Sequence, residues 1–205
     1  MIASLAAFMS GYTVSAHAEE TGWYVGAGAG SSLVDIDEGF WSDSSITASD
    51  IETSGAGFQL YAGYRLHRHF ALEVGYMHLT DTVFSGASNG VSSIWDAGPV
   101  EGRTEVDGIS IQGLALWPLD SLNLALFLKG GVFMWDSLAR YNETINDIHR
   151  FNDDGGSLIG GMGAEVKVWG DWRLRGSVDV TAVGIANREV VTAAIATMGV
   201  MHPLY

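Results

Sequence analysis

The sequence predicts an all-β protein, an eight-stranded antiparallel up-and-down β-barrel that spans a membrane. Apolar and polar residues alternate in runs of about ten residues, and a tilted strand of that length crosses a bilayer. The connections between these runs alternate between long polar stretches and short turns, as they do in bacterial outer-membrane barrels. Tryptophans gather at the strand ends beside the short turns. Together these three observations favour a transmembrane barrel over a soluble sandwich.

Composition narrows the class further. The 205 residues suit one domain, and charged residues make up only 17% of them, against about 25% in a typical soluble protein. The absence of cysteine excludes disulfides and thiolate metal sites. The net charge of −14 argues against a nucleic-acid partner, because phosphate contacts need clustered lysine and arginine.

The first 18 residues are predicted to be a signal peptide. A short apolar core at residues 2–9 precedes Ala16-His17-Ala18, an A-x-A cleavage site directly before Glu19. A basic residue normally precedes such a core and none does here, so either the signal is incomplete at its N-terminus or the segment is not a signal. With cleavage, the barrel domain is residues 19–205, and export places it in the bacterial outer membrane.

The eight predicted strands follow in order. They lie at residues 22–32, 57–66, 70–80, 105–116, 122–136, 155–168, 172–183 and 189–201. Pro118 lies in a compact turn and is expected to end the fourth strand, because proline has no N–H to give to a ladder. Three polar stretches, at residues 33–55, 81–103 and 137–154, are predicted to be long solvated loops on one side of the membrane.

Alternation alone does not say which face of the sheet meets lipid, since a lipocalin-like soluble barrel would bury the same apolar side chains. The other face carries glycine, alanine and isolated charges, whereas a wall facing water should be densely charged. An aromatic girdle at the membrane interface is the second argument. Its predicted members are Trp23, Tyr64, Trp117, Trp169 and Trp172.

Four segments resemble the transmembrane barrel of the outer membrane protein A (OmpA) family. They are GWYVGAGAG at residues 22–30, YRLHRHFALEVGY at 64–76, LKGGVFMW at 128–135 and GGMGAEVKVWGDWRLRGSVDV at 160–180. The motifs are short and degenerate, but they span nearly all of the predicted mature chain. The resemblance therefore supports the fold more strongly than any particular activity.

In that family, a cluster of ion pairs fills the barrel interior and acts as a constriction. Position by position, the resemblance implies that Glu73, Glu165 and Arg175 belong to this cluster, and that Lys129 is a further interior base. The basic position of the fourth strand falls near Leu114 here, which departs from the family. Two interpretations remain open: the charges simply satisfy one another and plug the barrel, or they gate water and small ions.

Three functions follow as hypotheses. The first is an outer-membrane protein with a structural role in envelope integrity and at most a small gated pore. The second is a binding module whose long acidic loops engage a surface ligand in adhesion or host interaction, and the third, less favoured, is an envelope lipid-modifying enzyme. Because His149 and His202 have no serine patterned as a nucleophile beside them, we expect no enzyme.

We expect neither a metal nor a cofactor. His67, His69 and His78 are the candidate metal ligands, but the first two flank Arg68 in a turn with no carboxylate close in sequence. The expected partners are outer-membrane lipid and lipopolysaccharide, around a protein that is a monomer.

Overall fold

A computed structural model describes residues 21–35, 45–91, 97–144, 147–185 and 189–204. Nine strands and one 3-10 turn lie within them. The strands are β1 (Gly22–Val34), β2 (Ile46–Glu52), β3 (Ser54–His67), β4 (Phe70–Ser88), β5 (Gly98–Leu119), β6 (Leu124–Thr144), β7 (Asp147–Trp169), β8 (Trp172–Ile185) and β9 (Glu189–Leu204). Among the described residues, no helix is long and apolar enough to cross a membrane.

The strands close into a ring of eight antiparallel wall positions. The order around the ring is β1-β3-β4-β5-β6-β7-β8-β9, and β9 pairs again with β1. The short strand β2 pairs with the far half of β4, and only Thr53 separates it from β3, so β2 and β3 share one wall position. The N–H of Val34 donates to the carbonyl of Thr53 at 2.9 Å and ties this junction to β1. The predicted fold class is confirmed.

The three polar stretches are not loops throughout, which corrects the sequence interpretation. β4 continues to Ser88, and β6 and β7 remain paired up to Thr144 and Asp147. The cause is a second alternation, in which charged residues such as Glu101 face outward while Val100 and Val106 are buried inside. A strand whose outer face is exposed to solvent shows this pattern. Because it carries many charges, its sequence resembles that of a loop.

Pro118 does not end its strand either. β5 runs on to Leu119, where a 3-10 turn at Asp120–Leu122 leads to Asn123 in the left-handed conformation. The N–H of Leu116 donates toward β4, to His69, so the missing N–H of Pro118 would point to the same side. The ladder between β4 and β5 already ends at Ala115, and therefore no hydrogen bond is lost there.

The outer face changes from apolar to charged along each long strand. On β5, Ile109 and Ile111 are exposed, and the next outward residue beyond them is Asp107. On β6 the change falls between Met134 and Asp136, which are the direct cross-strand partners of Ile109 and Asp107. The stretch from Ile109 to Leu119 rises about 25 Å at a strand tilt near 40°, which matches the apolar band of an outer-membrane barrel. We call this band the lipid belt.

The interior holds two apolar clusters and a set of buried charges. A lower apolar cluster lies near the short turns and contains Tyr24, Tyr61, Ala71, Leu114, Leu116, Phe127 and Met201. An upper apolar cluster lies toward the other end and contains Val34, Met77, Leu79, Phe84, Val100, Val106, Phe133, Trp135, Ala139, Ile159, Val183, Ile185, Val191, Ala193 and Ile195. Along β6, Lys129 lies between Phe127 of the lower cluster and Phe133 of the upper one. We call the inward-facing charges of Lys129 and of the lower part of the barrel the charged layer.

Candidate functional site

The four residues predicted for the interior come from four different strands. Glu73 lies on β4, Lys129 on β6, Glu165 on β7 and Arg175 on β8, and the alternation of each strand turns these side chains inward. All four are buried, with at most 7% of the residue exposed. Glu165 and Arg175 are direct cross-strand partners. The structure brings Glu73, Glu165 and Arg175 together and sets Lys129 apart from them.

Arg175 joins the two glutamates across the lumen. Its Nη1 pairs with Oε1 of Glu73, and its Nη2 lies 3.7 Å from Oε2 of Glu165. A buried charge without a partner costs several kcal/mol, so each of these three groups depends on the others. Two carboxylates that would otherwise face each other in a narrow lumen are held by one guanidinium.

Aromatic rings surround the Arg175 guanidinium, a feature that sequence reasoning missed. Its carbon Cζ lies 4.5 Å from the ring centre of Phe127, 4.8 Å from that of Tyr61 and 5.9 Å from that of Tyr24. A cation over an aromatic face is attracted by the ring quadrupole, more strongly where water is excluded. The hydroxyl of Tyr24 also donates to Oε1 of Glu73 at 2.7 Å. The ion pair between Arg175 and Glu73 therefore lies within the lower apolar cluster.

Arg65 is a further member that the sequence analysis did not name. Its Nη2 lies 2.5 Å from Oε1 of Glu165, and Nη1 of Arg173 lies 3.2 Å from the same oxygen. The alternation of β3 could have identified Arg65, since it shares the inward face with Gln59 and Tyr61. The predicted strand at residues 57–66 contained it, but the four positions taken from the family did not include it.

Lys129 forms a separate pair with Asp179. Its Nζ lies 2.8 Å from Oδ2 of Asp179, a residue outside the four that the resemblance implied. The hydroxyl of Ser177 donates to the same carboxylate oxygen at 3.5 Å. Gln59 donates from Nε2 to Ser177 at 3.1 Å and also to Thr197. A polar network therefore extends the charged layer across the lumen.

Leu114 lies directly opposite Lys129 in the ladder between β5 and β6. It is buried in the lower apolar cluster, near the position at which the resemblance implied a base. All residues of β5 are described, and none of its inward-facing positions carries a charge. The pairing between Arg175 and the glutamates therefore has no competing base on this strand.

The predicted girdle residues all lie on the outer surface near the short turns. Their exposed fractions range from 36% for Tyr64 to 82% for Trp169. Trp23 and Tyr64 are cross-strand partners whose rings meet edge to face at 5.1 Å. Trp172 meets the ring of His202 in the same way at 4.7 Å. Their role at a membrane interface stays a prediction that this placement supports.

The architecture and the arrangement of the charged layer can be compared with known proteins. Residues 17–201 match the OmpA-like transmembrane domain. The chain belongs to this family. No curated protein matches the sequence. As a member of the family, the chain is an outer-membrane β-barrel protein.

Two solved outer-membrane proteins show the same fold as this OmpA-like chain. Neisserial surface protein A is 15% identical, with 90% of this chain and 98% of that one covered at a TM-score of 0.55. Ail of Yersinia pestis, solved with the heparin analogue sucrose octasulfate, is 12% identical, with 91% and 100% covered at a TM-score of 0.54. At these identities the likeness concerns the fold alone.

Several predictions lie outside what the structure describes. The signal peptide at residues 1–18 and the boundary at Glu19 fall within residues 1–20, and the side chain of His149 also lies outside the described part. The expected absence of metal, cofactor and catalytic residues stays a prediction.

Proposed function

We propose that this OmpA-like barrel is a closed, monomeric structural element of the outer membrane that supports envelope integrity and conducts no ions. One observation carries the proposal: the upper apolar cluster fills the barrel interior above the charged side chains. Outer-membrane lipid is its immediate partner, through the lipid belt.

The upper apolar cluster is the barrier in this proposal. Phe84, Phe133 and Val106 are completely buried there, and Trp135 is 8% exposed. An eight-stranded barrel is only wide enough for its interior to be filled by side chains. Hydrophobic constrictions exclude water and ions, so rearranging the ion pairs below would not by itself open a path.

Deletion of the gene in the native bacterium tests the envelope role. We expect greater sensitivity to detergents and to antibiotics too large for porins, with recovery when the wild-type protein is expressed. A deletion strain with a normal barrier would contradict the proposal. Expression of the Arg175→Ala barrel in the deletion strain should restore the barrier only partly, because the ion pairs of this variant are weakened.

A second candidate function is surface binding, favoured by the long paired strands above the lipid belt. β5 and β6 remain paired up to Glu101 and Asn142, and β6 and β7 up to Thr144 and Asp147. The structure of Ail with a heparin analogue concerns that protein, but the shared fold makes binding worth testing here. Replacing residues 142–148 by Asn-Gly would shorten the hairpin without changing its register. Lost attachment to host cells with normal membrane insertion would support this function, and unchanged attachment would contradict it.

We also propose that the chain is not an enzyme. On the outer surface, Asp107 Oδ1 accepts a hydrogen bond from the Tyr76 hydroxyl at 2.6 Å and lies 2.6 Å from Nδ1 of His78. An acid and a histidine in contact resemble part of a hydrolytic triad, so lipid A is the substrate to examine. We expect identical lipid A mass spectra with and without expression, and a lost acyl chain would contradict this.

A further inference from the structure

Three arginines form a row across three neighbouring strands on the outer surface. Arg103 of β5 pairs in register with Arg140 of β6, which pairs with Arg150 of β7. Arg103 and Arg150 are exposed, and 41% of the Arg140 side chain is exposed. We call these three residues the arginine row.

Among the residues that the structure describes, the arginine row holds the lysine and arginine side chains on the outer surface at this end of the barrel. The chain has ten lysine and arginine residues, of which the structure describes all but the one at position 188. Four of the described ones lie in the lumen or at its mouth and two lie at the short turns, namely Arg65, Lys129, Arg173, Arg175, Arg68 and Lys167. The three that remain are the arginine row, on a protein whose net charge is −14.

Such a row is unfavourable for the barrel on its own, because like charges directly opposite each other destabilise a sheet. Acids beside the row offset part of this cost. Asp81 pairs with Arg103, and Glu105 lies 3.5 Å from Nε of Arg103 and 3.6 Å from Nη2 of Arg140. The hydrogen bond and the charge of Asp81 raise the pKa of Arg103 above its usual value. Since exposed ion pairs are weak, an external anion can compete for these guanidinium groups.

The distance of the arginine row from the lipid belt indicates which class of anion it contacts. An acidic row lies directly above the lipid belt, at Asp107, Asp136 and Asp154. Arg103 lies about 15 Å beyond Ile109 along the membrane normal, for strands tilted near 40°. The headgroup layer of an ordinary phospholipid is only about 5–8 Å deep on each side of the bilayer. Its phosphates would therefore face the acidic row and be repelled, whereas anions on a larger sugar headgroup would reach the arginines.

We propose that Arg103, Arg140 and Arg150 bind the anionic groups on the sugar headgroup of outer-leaflet lipopolysaccharide. Guanidinium groups bind phosphate and carboxylate through paired N–H donors, which suits them to this ligand. The proposal extends the envelope role and rests on the shown placement in the outer membrane, so whether the barrel is closed has no bearing on it.

The test compares the purified wild-type barrel with the variant Arg103→Gln/Arg140→Gln/Arg150→Gln in binding titrations with lipopolysaccharide. The matched control is Arg68→Gln, which removes an exposed arginine paired to a carboxylate at the opposite rim. We expect at least tenfold weaker binding by the triple variant, a less steep dependence on salt, and binding within twofold of wild type for the control. Replacing the same three residues by lysine should restore part of the affinity.

Two further ligands separate the possible partners. Vesicles of phosphatidylglycerol should bind wild type and triple variant equally, and a heparin-like sulfated polysaccharide should lose less affinity than lipopolysaccharide. A loss of binding confined to the polysaccharide, or equal for all three ligands, would overturn the assignment to lipopolysaccharide. Equal lipopolysaccharide binding by wild type and triple variant would overturn it as well. A folded triple variant, shown by the same shift in gel mobility on boiling as wild type, excludes misfolding as the cause of a loss.

Discussion

At Gly26 and Gly63 the inner wall of the barrel has no side chain because a tyrosine from the neighbouring strand fills the space. Gly26 pairs with Tyr61, and Tyr24 pairs with Gly63. A Cβ added at either glycine would overlap the facing ring. The same two rings lie against the Arg175 guanidinium, so Gly26 of β1 and Gly63 of β3 make room for the rings that contact it.

This packing predicts a difference between two glycines of the same strand. Gly26→Ala should lower the free energy of unfolding by about 1–3 kcal/mol, the usual cost of overpacking. Gly28→Ala should cost less, because its added Cβ would lie 3.3 Å from Thr197 rather than within a ring. Urea unfolding in lipid vesicles measures both. Equal losses would contradict the role assigned to Tyr61.

The buried ion pairs make a prediction at Arg175. Arg175→Ala leaves Glu73 and Glu165 without their shared partner, and breaking a buried pair in this way costs about 3–5 kcal/mol. Arg68→Ala is the control, because Arg68 and Asp120 form an exposed pair at 3.0 Å, for which we expect less than about 1 kcal/mol. Unfolding in urea, followed by tryptophan fluorescence, distinguishes them. A loss at Arg175 as small as that at Arg68 would show that the charged layer does not stabilise the barrel.

At the scale of the strand, the outer face of each long strand has two parts: an apolar part in the lipid belt and a charged part beyond it. On β6, Val132 and Met134 face lipid, and Asp136 and Arg140 follow on the same face beyond the belt. The sequence predicted the first surface because apolar residues alternate with small ones there. It did not predict the second, since a strand whose outer face is charged has the composition of a loop.

Lysine substitutions locate the edge of the lipid belt on β6. Val132→Lys should destabilise the barrel in a bilayer by about 2–4 kcal/mol, and Leu138→Lys by about 0–1, because the cost of a charge falls toward the interface. Both residues face outward on the same strand. Unfolding in vesicles measures the difference, and equal costs would mean that the belt does not end between them.

At the scale of the whole molecule, the sequence predicted the ring and the inward direction of four charges, but not who pairs with whom. Arg65 of β3 reaches Glu165 of β7, and Lys129 of β6 reaches Asp179 of β8. Neither pair joins neighbouring strands. Contacts across a lumen depend on how far each strand is shifted along its neighbour around the entire ring, which local patterns do not reveal. The same holds for the two apolar clusters, whose members come from almost every strand.

The claim that the barrel is closed is tested most directly by single-channel recording of the purified wild-type protein in planar bilayers. We expect no conductance steps, and none with Arg175→Ala, because the upper apolar cluster remains in place. Steps should appear only when Phe84, Phe133 and Trp135 are replaced by alanine together with Arg175. Reproducible steps from the folded wild-type protein would contradict the closed barrel and favour a gated pore.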